Sequence, residues 1–289
     1  MGTEALLLVL VAALAHALWN FAAKTVPDGG AVFVQLYVVV SVVLWVPLAG
    51  VWLFVLHPTA PDLGWLLGAV VCGVLHVIYS VTLQRGYEAA DMNVVYPLAR
   101  GTGPLLTVAV SVLVLGERPP LLALAGGLVV VAGVVVIATG RVGAASQHMR
   151  RTGVAYGIGT GASIAAYTLW DDHAVNALAV PPLPYFALGL LAQCLLLAPT
   201  TWRQRVRAGE VWRDYRRQVV AVAVLSPLAY VLVLQAMRIA PVSLVAPARE
   251  TSIVVGSLLA WLVLREPHPA RRLLGSAVVL VGIGLLVAG

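Results

Sequence analysis

The chain has 289 residues; 61% are hydrophobic, only 10% are charged, and the net charge is +6. Soluble domains carry about 25% charged residues because most of their surface must face water, so this composition excludes a soluble globular protein and points to hydrocarbon as the solvent. The positive balance does not form a nucleic-acid surface, because the basic residues sit between apolar runs rather than on one polar face.

Ten runs reach the ~20 residues that a helix needs to cross the hydrocarbon core. They are 3–24, 31–56, 63–85, 92–115, 119–139, 153–171, 182–201, 218–238, 241–264 and 270–288. The first lacks a basic leader and carries His16, Trp19 and Asn20, which predicts a permanent helix rather than a cleaved signal. Helical spacing puts Ala12, His16, Trp19 and Asn20 on one face. The sixth run carries a similar stripe of Ser163, Tyr167, Trp170 and Asp171. Trp19 and Trp170 suit anchoring at the membrane interface as well as ligand stacking. Asp171 and Asp172 fall near the expected end of the sixth helix, within reach of water.

The third run places His76, Tyr79 and Ser80 on one face, while Gln35, Gln193, Tyr230 and Gln235 read as interhelical hydrogen-bonding groups. Cys72 and Cys194 lie inside apolar runs and predict neither a disulfide nor a cysteine-based metal site. Gly153, Gly157 and Gly161 make small-xxx-small steps suited to close helix packing.

Two arginines stand where charge is most costly. Arg100 and Arg249 are each the ninth residue of an apolar run, about 12 Å from its start at 1.5 Å per residue. An isolated Arg at that depth costs at least about 2.5–3.5 kcal/mol, so each should face a partner or a polar cavity. A pair of planar guanidinium groups suits carboxylate or phosphate; a structural ion pair, with Glu250 or with a carboxylate of the first or sixth helix, is the competing expectation. Glu250, His16 and Asp171 are candidates for coupling to a proton or another ion. Pro97, Pro104 and Pro247 lie close to the two arginines and predict kinks that free backbone carbonyls.

The sequence repeats. Leu98-Ala99-Arg100-Gly101 aligns with Pro247-Ala248-Arg249-Glu250, and Gly116-Glu117-Arg118-Pro119 with Arg265-Glu266-Pro267, at an offset of 149. Leu18-Trp19-Asn20 aligns with Leu169-Trp170-Asp171 at an offset of 151. The expected division is a first five-helix repeat over 1–140, a linker over 141–152 and a second repeat over 153–289. Five helices per copy is odd, so the second copy must cross the membrane upside down. Such inverted repeats are a transporter architecture, with the substrate site near the midplane between the copies.

Of the 18 Lys and Arg residues, Arg100 and Arg249 lie within spans, Arg118 and Arg238 on one side, and the other fourteen on the opposite side. Basic loops prefer the cytoplasm, which predicts a multi-pass protein of the cell (inner) membrane with both termini outside. There is no Walker-type phosphate loop, no His-Glu-x-x-His zinc motif and no Gly-x-Ser-x-Gly elbow, so neither an enzyme nor a cofactor or metal is expected. No motif specifies an oligomer.

The chain resembles the drug/metabolite transporter superfamily, specifically the EamA-type ten-helix carriers. The resemblance spans essentially the whole chain. It rests on Ala17-Leu18-Trp19-Asn20, Tyr96-Pro97-Leu98-Ala99-Arg100, Gly116-Glu117 closing the fourth helix, and their counterparts Pro247-Ala248-Arg249-Glu250 and Arg265-Glu266-Pro267. It implies alternating access around a central cavity lined mainly by the first, third and fourth helices and their counterparts. Similar plastid phosphate translocators bind anions through basic residues on the fourth and ninth helices, the helices of Arg100 and Arg249 here. Similar eukaryotic carriers have cytosolic termini, whereas the arginine distribution here predicts the reverse.

Together these features predict a secondary transporter, in the exporting direction, for a small anionic or zwitterionic metabolite such as an amino acid or organic acid, with a coupling proton. The residues expected around the substrate are Arg100, Arg249, Tyr96, His16, Trp19, Asn20, Tyr167, Trp170, His76 and Tyr79. Two alternatives are a lipid-linked precursor flippase and a cationic drug/proton exporter.

Overall fold

The structure is a computed structural model that describes residues 1–26, 30–57, 60–90, 92–138, 147–264 and 269–289. Arg141, Arg265, Glu266 and Pro267 lie outside the described residues, as do the side chains of Lys24, Pro97, Arg150, Arg271 and Arg272. Among the described residues there is no strand.

The first half comprises α1 (Thr3–Lys24), α2 (Gly30–Val51) with a π-helical turn over Trp52–Leu56, α3 (Leu63–Ala89), α4 (Met92–Leu113) and α5 (Leu121–Ala138). The second comprises α6 (Gln147–Asn176), α7 (Pro182–Arg203), α8 (Arg205–Met237), α9 (Val242–Arg249), α10 (Thr251–Leu264) and α11 (Pro269–Ala288). The ninth span is thus two helices, α9 and α10, joined at Glu250. Helix α6 begins at Gln147, within the stretch expected as linker, and runs five residues past Asp171.

The side-chain distribution is that of a protein turned toward lipid. Leu7, Leu14, Val43, Leu48, Leu67 and Val70 are exposed, whereas Thr107, Ser111, Thr160, Thr168, Asp171 and Glu250 are buried. Within the bilayer no water satisfies polar groups, so they turn inward, as Thr107 and Ser111 do in donating to the Gly103 and Thr107 carbonyls of their own helix. Thr3–Ala23, Val32–Leu56, Leu63–Ala89, Pro182–Pro199 and Arg205–Met237 are each long and apolar enough to cross a membrane.

Contacts obey an exchange of the two halves. Helix α1 packs on α8 as α6 packs on α3, α2 packs on α8 as α7 packs on α3, and α9 packs on α1 as α4 packs on α6. Helices α5 and α11, the last span of each half, pack on each other through glycines also related by the 149 offset. A Cβ on Gly133 would meet the Gly275 carbonyl at 2.9 Å, and one on Gly282 would meet the Gly126 carbonyl at 2.8 Å. These backbones touch where small residues allow it, and a two-fold relation makes each contact appear twice. The Gly153-Gly157-Gly161 stripe behaves as expected: a Cβ on Gly157 would come within 2.6 Å of Leu98 Cβ on α4.

Candidate functional site

The break in the ninth span sets up the site. Pro247 has no N–H to continue the helical ladder, and α9 ends two residues later at Arg249. Glu250 N–H bonds back to the Pro247 carbonyl at 3.0 Å, and the Thr251 hydroxyl donates to the Ala248 carbonyl, before α10 resumes. Helix α4 opposite runs unbroken through Arg100. The N-terminus of α9 is held from the other half. Gly116, at φ +73°, turns the chain after α4, and the Glu117 carboxylate accepts from the Val242 and Ser243 N–H groups at 3.0 and 3.1 Å. A carboxylate there satisfies two orphan donors and complements the helix dipole.

Both arginines meet at the break. Arg100 Nη1 lies 3.4 Å from each oxygen of Glu250, and Arg100 Nη2 lies 3.1 Å from His16 Nε2. Arginine only donates, so His16 Nε2 accepts and the imidazole is the neutral Nδ1–H tautomer. Arg249 reaches Glu250 only weakly, at 3.9 Å from Nε. Its Nε is buried and, among the described residues, has no hydrogen-bond partner. Side-chain exposures of 13% for Arg100, 7% for Arg249 and 1% for Glu250 put all three charges out of solvent. Two guanidinium groups therefore share one carboxylate.

Aromatic rings frame this charge. The Arg100 guanidinium lies 5.6 Å from the Tyr96 ring, and that of Arg249 lies 6.0 Å from the Tyr167 ring. Such placements attract a cation to the ring face. Trp19 sits edge-on to His16 at 4.9 Å, and its indole N–H is a second buried donor with no partner among the described residues. Tyr79 and His76 pack on Tyr167, at 5.5 Å edge-on and 4.4 Å stacked.

Behind His76 and Tyr167 lies a second polar cluster that the sequence did not place. Asp171 is fully buried, not solvated as expected, because α6 continues to Asn176 and keeps it inside the bundle. Tyr185 OH donates to one of its oxygens at 2.6 Å and Tyr230 OH donates to the other. Cys72 Sγ and His76 lie alongside, with Cys72, His76 and Asp171 ligand atoms all within 4.8 Å of one another. The His76 Nδ1 is 2.9 Å from the Cys72 carbonyl, a local contact within α3. A thiol, an imidazole and a carboxylate are all possible metal ligands, but the two tyrosine hydroxyls already occupy the Asp171 oxygens, so Asp171 sits as a hydrogen-bonded carboxylate.

Two of the expected site residues do structural work. Trp170 donates its indole N–H to the Gly68 carbonyl at 3.0 Å, tying α6 to α3. Asn20 donates to the His16 carbonyl at 2.8 Å within α1. Gln35 makes the expected interhelical bond, to the Cys194 carbonyl at 3.3 Å, whereas Gln235 is exposed.

The EamA-like transporter family profile matches this chain twice, over residues 3–139 and 151–288. The chain belongs to the EamA-like transporter family. This EamA-like protein is therefore a membrane transporter of the drug/metabolite type, built as two inverted five-span repeats. A solved crystal structure has the same fold, with a TM-score of 0.80 at 18% identity, the match covering all of this chain and 98% of that one. At that identity the likeness is one of fold. No curated protein matches the sequence.

Proposed function

We propose that this EamA-like transporter carries a small anionic or zwitterionic metabolite, such as an amino acid or organic acid, by alternating access, and that Arg100 and Arg249 hold its carboxylate or phosphate. The observation that carries this reading is the unequal sharing of Glu250. The three charges in contact sum to one positive charge, and the Arg249 Nε–H has no acceptor among the described residues. Buried donors left unpaired are costly, so an incoming acceptor gains there what the empty site lacks. A monoanion would balance the charge and accept from Arg249 and from the Trp19 indole.

Glu250 occupies Arg100 as a substitute carboxylate. Substrate that displaces it leaves Glu250 free to take a proton, so that anion and proton cross together and the loaded site keeps the single positive charge of the empty one; Glu250, with His16 beside it, is the coupling group in this scheme. Substrate moves in the exporting direction. Pairing of Glu250 with Arg100 argues against the cationic drug alternative, which needs an acidic residue open to the ligand.

A thermal-stability screen of the purified protein tests the substrate class. Organic acids or amino acids should raise the melting temperature of wild type and fail to do so in Arg249→Gln. Stabilisation by organic cations alone would defeat the proposal.

A further inference from the structure

At 33 residues, α8 spans about 50 Å, well beyond the ~30 Å hydrocarbon core. Tyr215 interrupts it, with φ −127° and ψ 23°, leaving Arg216–Met237 as a membrane-length helix and Arg205–Asp214 as a shorter segment before it. That segment is amphipathic. Ala208, Val211 and Tyr215 pack with Val26 just past the end of α1, Phe33 near the start of α2 and Val219 further along α8. Outward, Val206 is 75% and Trp212 40% exposed, among arginines. Large exposed apolar side chains set among arginines mark a segment lying in the membrane interface.

The arginines are not equivalent. Arg207 is paired with Glu210 at 3.3 Å and Arg213 with Asp214 at 3.1 Å. Arg216 and Arg217 are exposed and, among the described residues, form no ion pair. They head a groove lined by Trp212, Arg216, Arg217, Val220 and Ala221. One helical turn further on, Val220 and then Val224 are 41% and 39% exposed, on the same face as Arg217 by i, i+3 and i+7 spacing. The surface therefore offers two unneutralised guanidinium groups, an indole at their level and an apolar track leading into the bilayer.

We propose that this groove binds an anionic phospholipid, its phosphodiester held by Arg216 and Arg217 and an acyl chain lying along Val220 and Val224. The charge selects the headgroup: a zwitterionic lipid brings its own ammonium and gains less from two cations, whereas surface arginines attract anionic lipid. The apolar track selects a lipid over free phosphate. Trp212 supplies the amphipathic ring that suits the headgroup level. The site uses none of the residues around Arg100 and Arg249, so its failure leaves the substrate proposal untouched.

The test uses the purified full chain in neutral detergent, with melting temperature read as dioleoylphosphatidylglycerol or dioleoylphosphatidylcholine is added. Phosphatidylglycerol should stabilise wild type and phosphatidylcholine should not. Arg216→Gln/Arg217→Gln should need about tenfold more phosphatidylglycerol for the same shift. Equal stabilisation by both lipids, or an unchanged response in the double variant, overturns the proposal. A shift with inorganic phosphate that is lost in the double variant overturns the lipid assignment. Should the double variant not fold, quenching by brominated lipids, read as wild type minus Trp212→Phe, decides: brominated phosphatidylglycerol must quench Trp212 more than brominated phosphatidylcholine, and equal quenching refutes the site.

Discussion

Arg100 and Arg249 occupy related positions in the two repeats yet have unequal partners, and that asymmetry separates their expected phenotypes. Arg100 holds Glu250 and His16 at hydrogen-bond range, so Arg100→Gln strands a buried carboxylate and should cost about 3 kcal/mol of stability. Arg249 lies at the outer limit of both its contacts, 3.9 Å from Glu250 and 6.0 Å from the Tyr167 ring, so Arg249→Gln should fold with a melting temperature close to that of wild type. Glu250→Gln removes the internal competitor for Arg100. It should lower the melting temperature of the empty protein and tighten anion binding by on the order of tenfold, both readable in one ligand titration; weaker anion binding would contradict the displacement scheme. In the second cluster, Tyr230→Phe removes a hydroxyl from a buried carboxylate and should destabilise by about 1.5–3 kcal/mol, measured by thermal unfolding. The arginines were legible in the sequence because charge inside an apolar run has no bland explanation. Tyr185 was not, because an aromatic in an apolar span carries no periodic mark of the partner it meets. Asp171 was misplaced because hydropathy falls at Asp171-Asp172-His173, whereas the helix itself continues.

Among the elements, the ninth span was expected to kink at Pro247 and is broken outright into α9 and α10. Pro247-Ala248-Arg249-Glu250 looks like the equivalent stretch of α4, yet one is broken and the other continuous. The pattern shows a weak point in both copies, and tertiary packing decides which opens. Glu117 belongs to the motif that closes α4, but its carboxylate caps α9 across the repeat boundary, a role no local pattern could reveal. Glu117→Ala should therefore destabilise by about 1–2 kcal/mol, the range of a lost N-cap, and should slow transport because it loosens the half-helix that carries Arg249. Thermal unfolding and liposome flux check the two parts separately; unaltered flux would separate the cap from the transport cycle. The tightest element contact, α5 on α11, gives a symmetric expectation. Gly133→Leu and Gly282→Leu should each prevent recovery of folded protein, because either side chain would enter the other helix's backbone.

For the molecule as a whole, composition, ten spans and the inverted repeat were all legible before any coordinates, since hydrocarbon imposes long apolar helices and an odd-numbered duplication imposes inversion. The pairing of helices across the repeats was not, because the sequence states that two copies exist but not which faces they share. That pairing brings His16, Arg100, Arg249 and Glu250 from α1, α4 and α9 to one place, at the break that joins α9 to α10. The central claim is that the spare positive charge at this point receives the transported anion. Uptake of the stabilising anion into liposomes by wild type and Arg249→Gln tests it most directly. The account predicts that Arg249→Gln keeps a melting temperature close to that of wild type and loses at least about tenfold in uptake, as loss of a charge-assisted hydrogen bond requires. Wild-type uptake by the folded variant would contradict it.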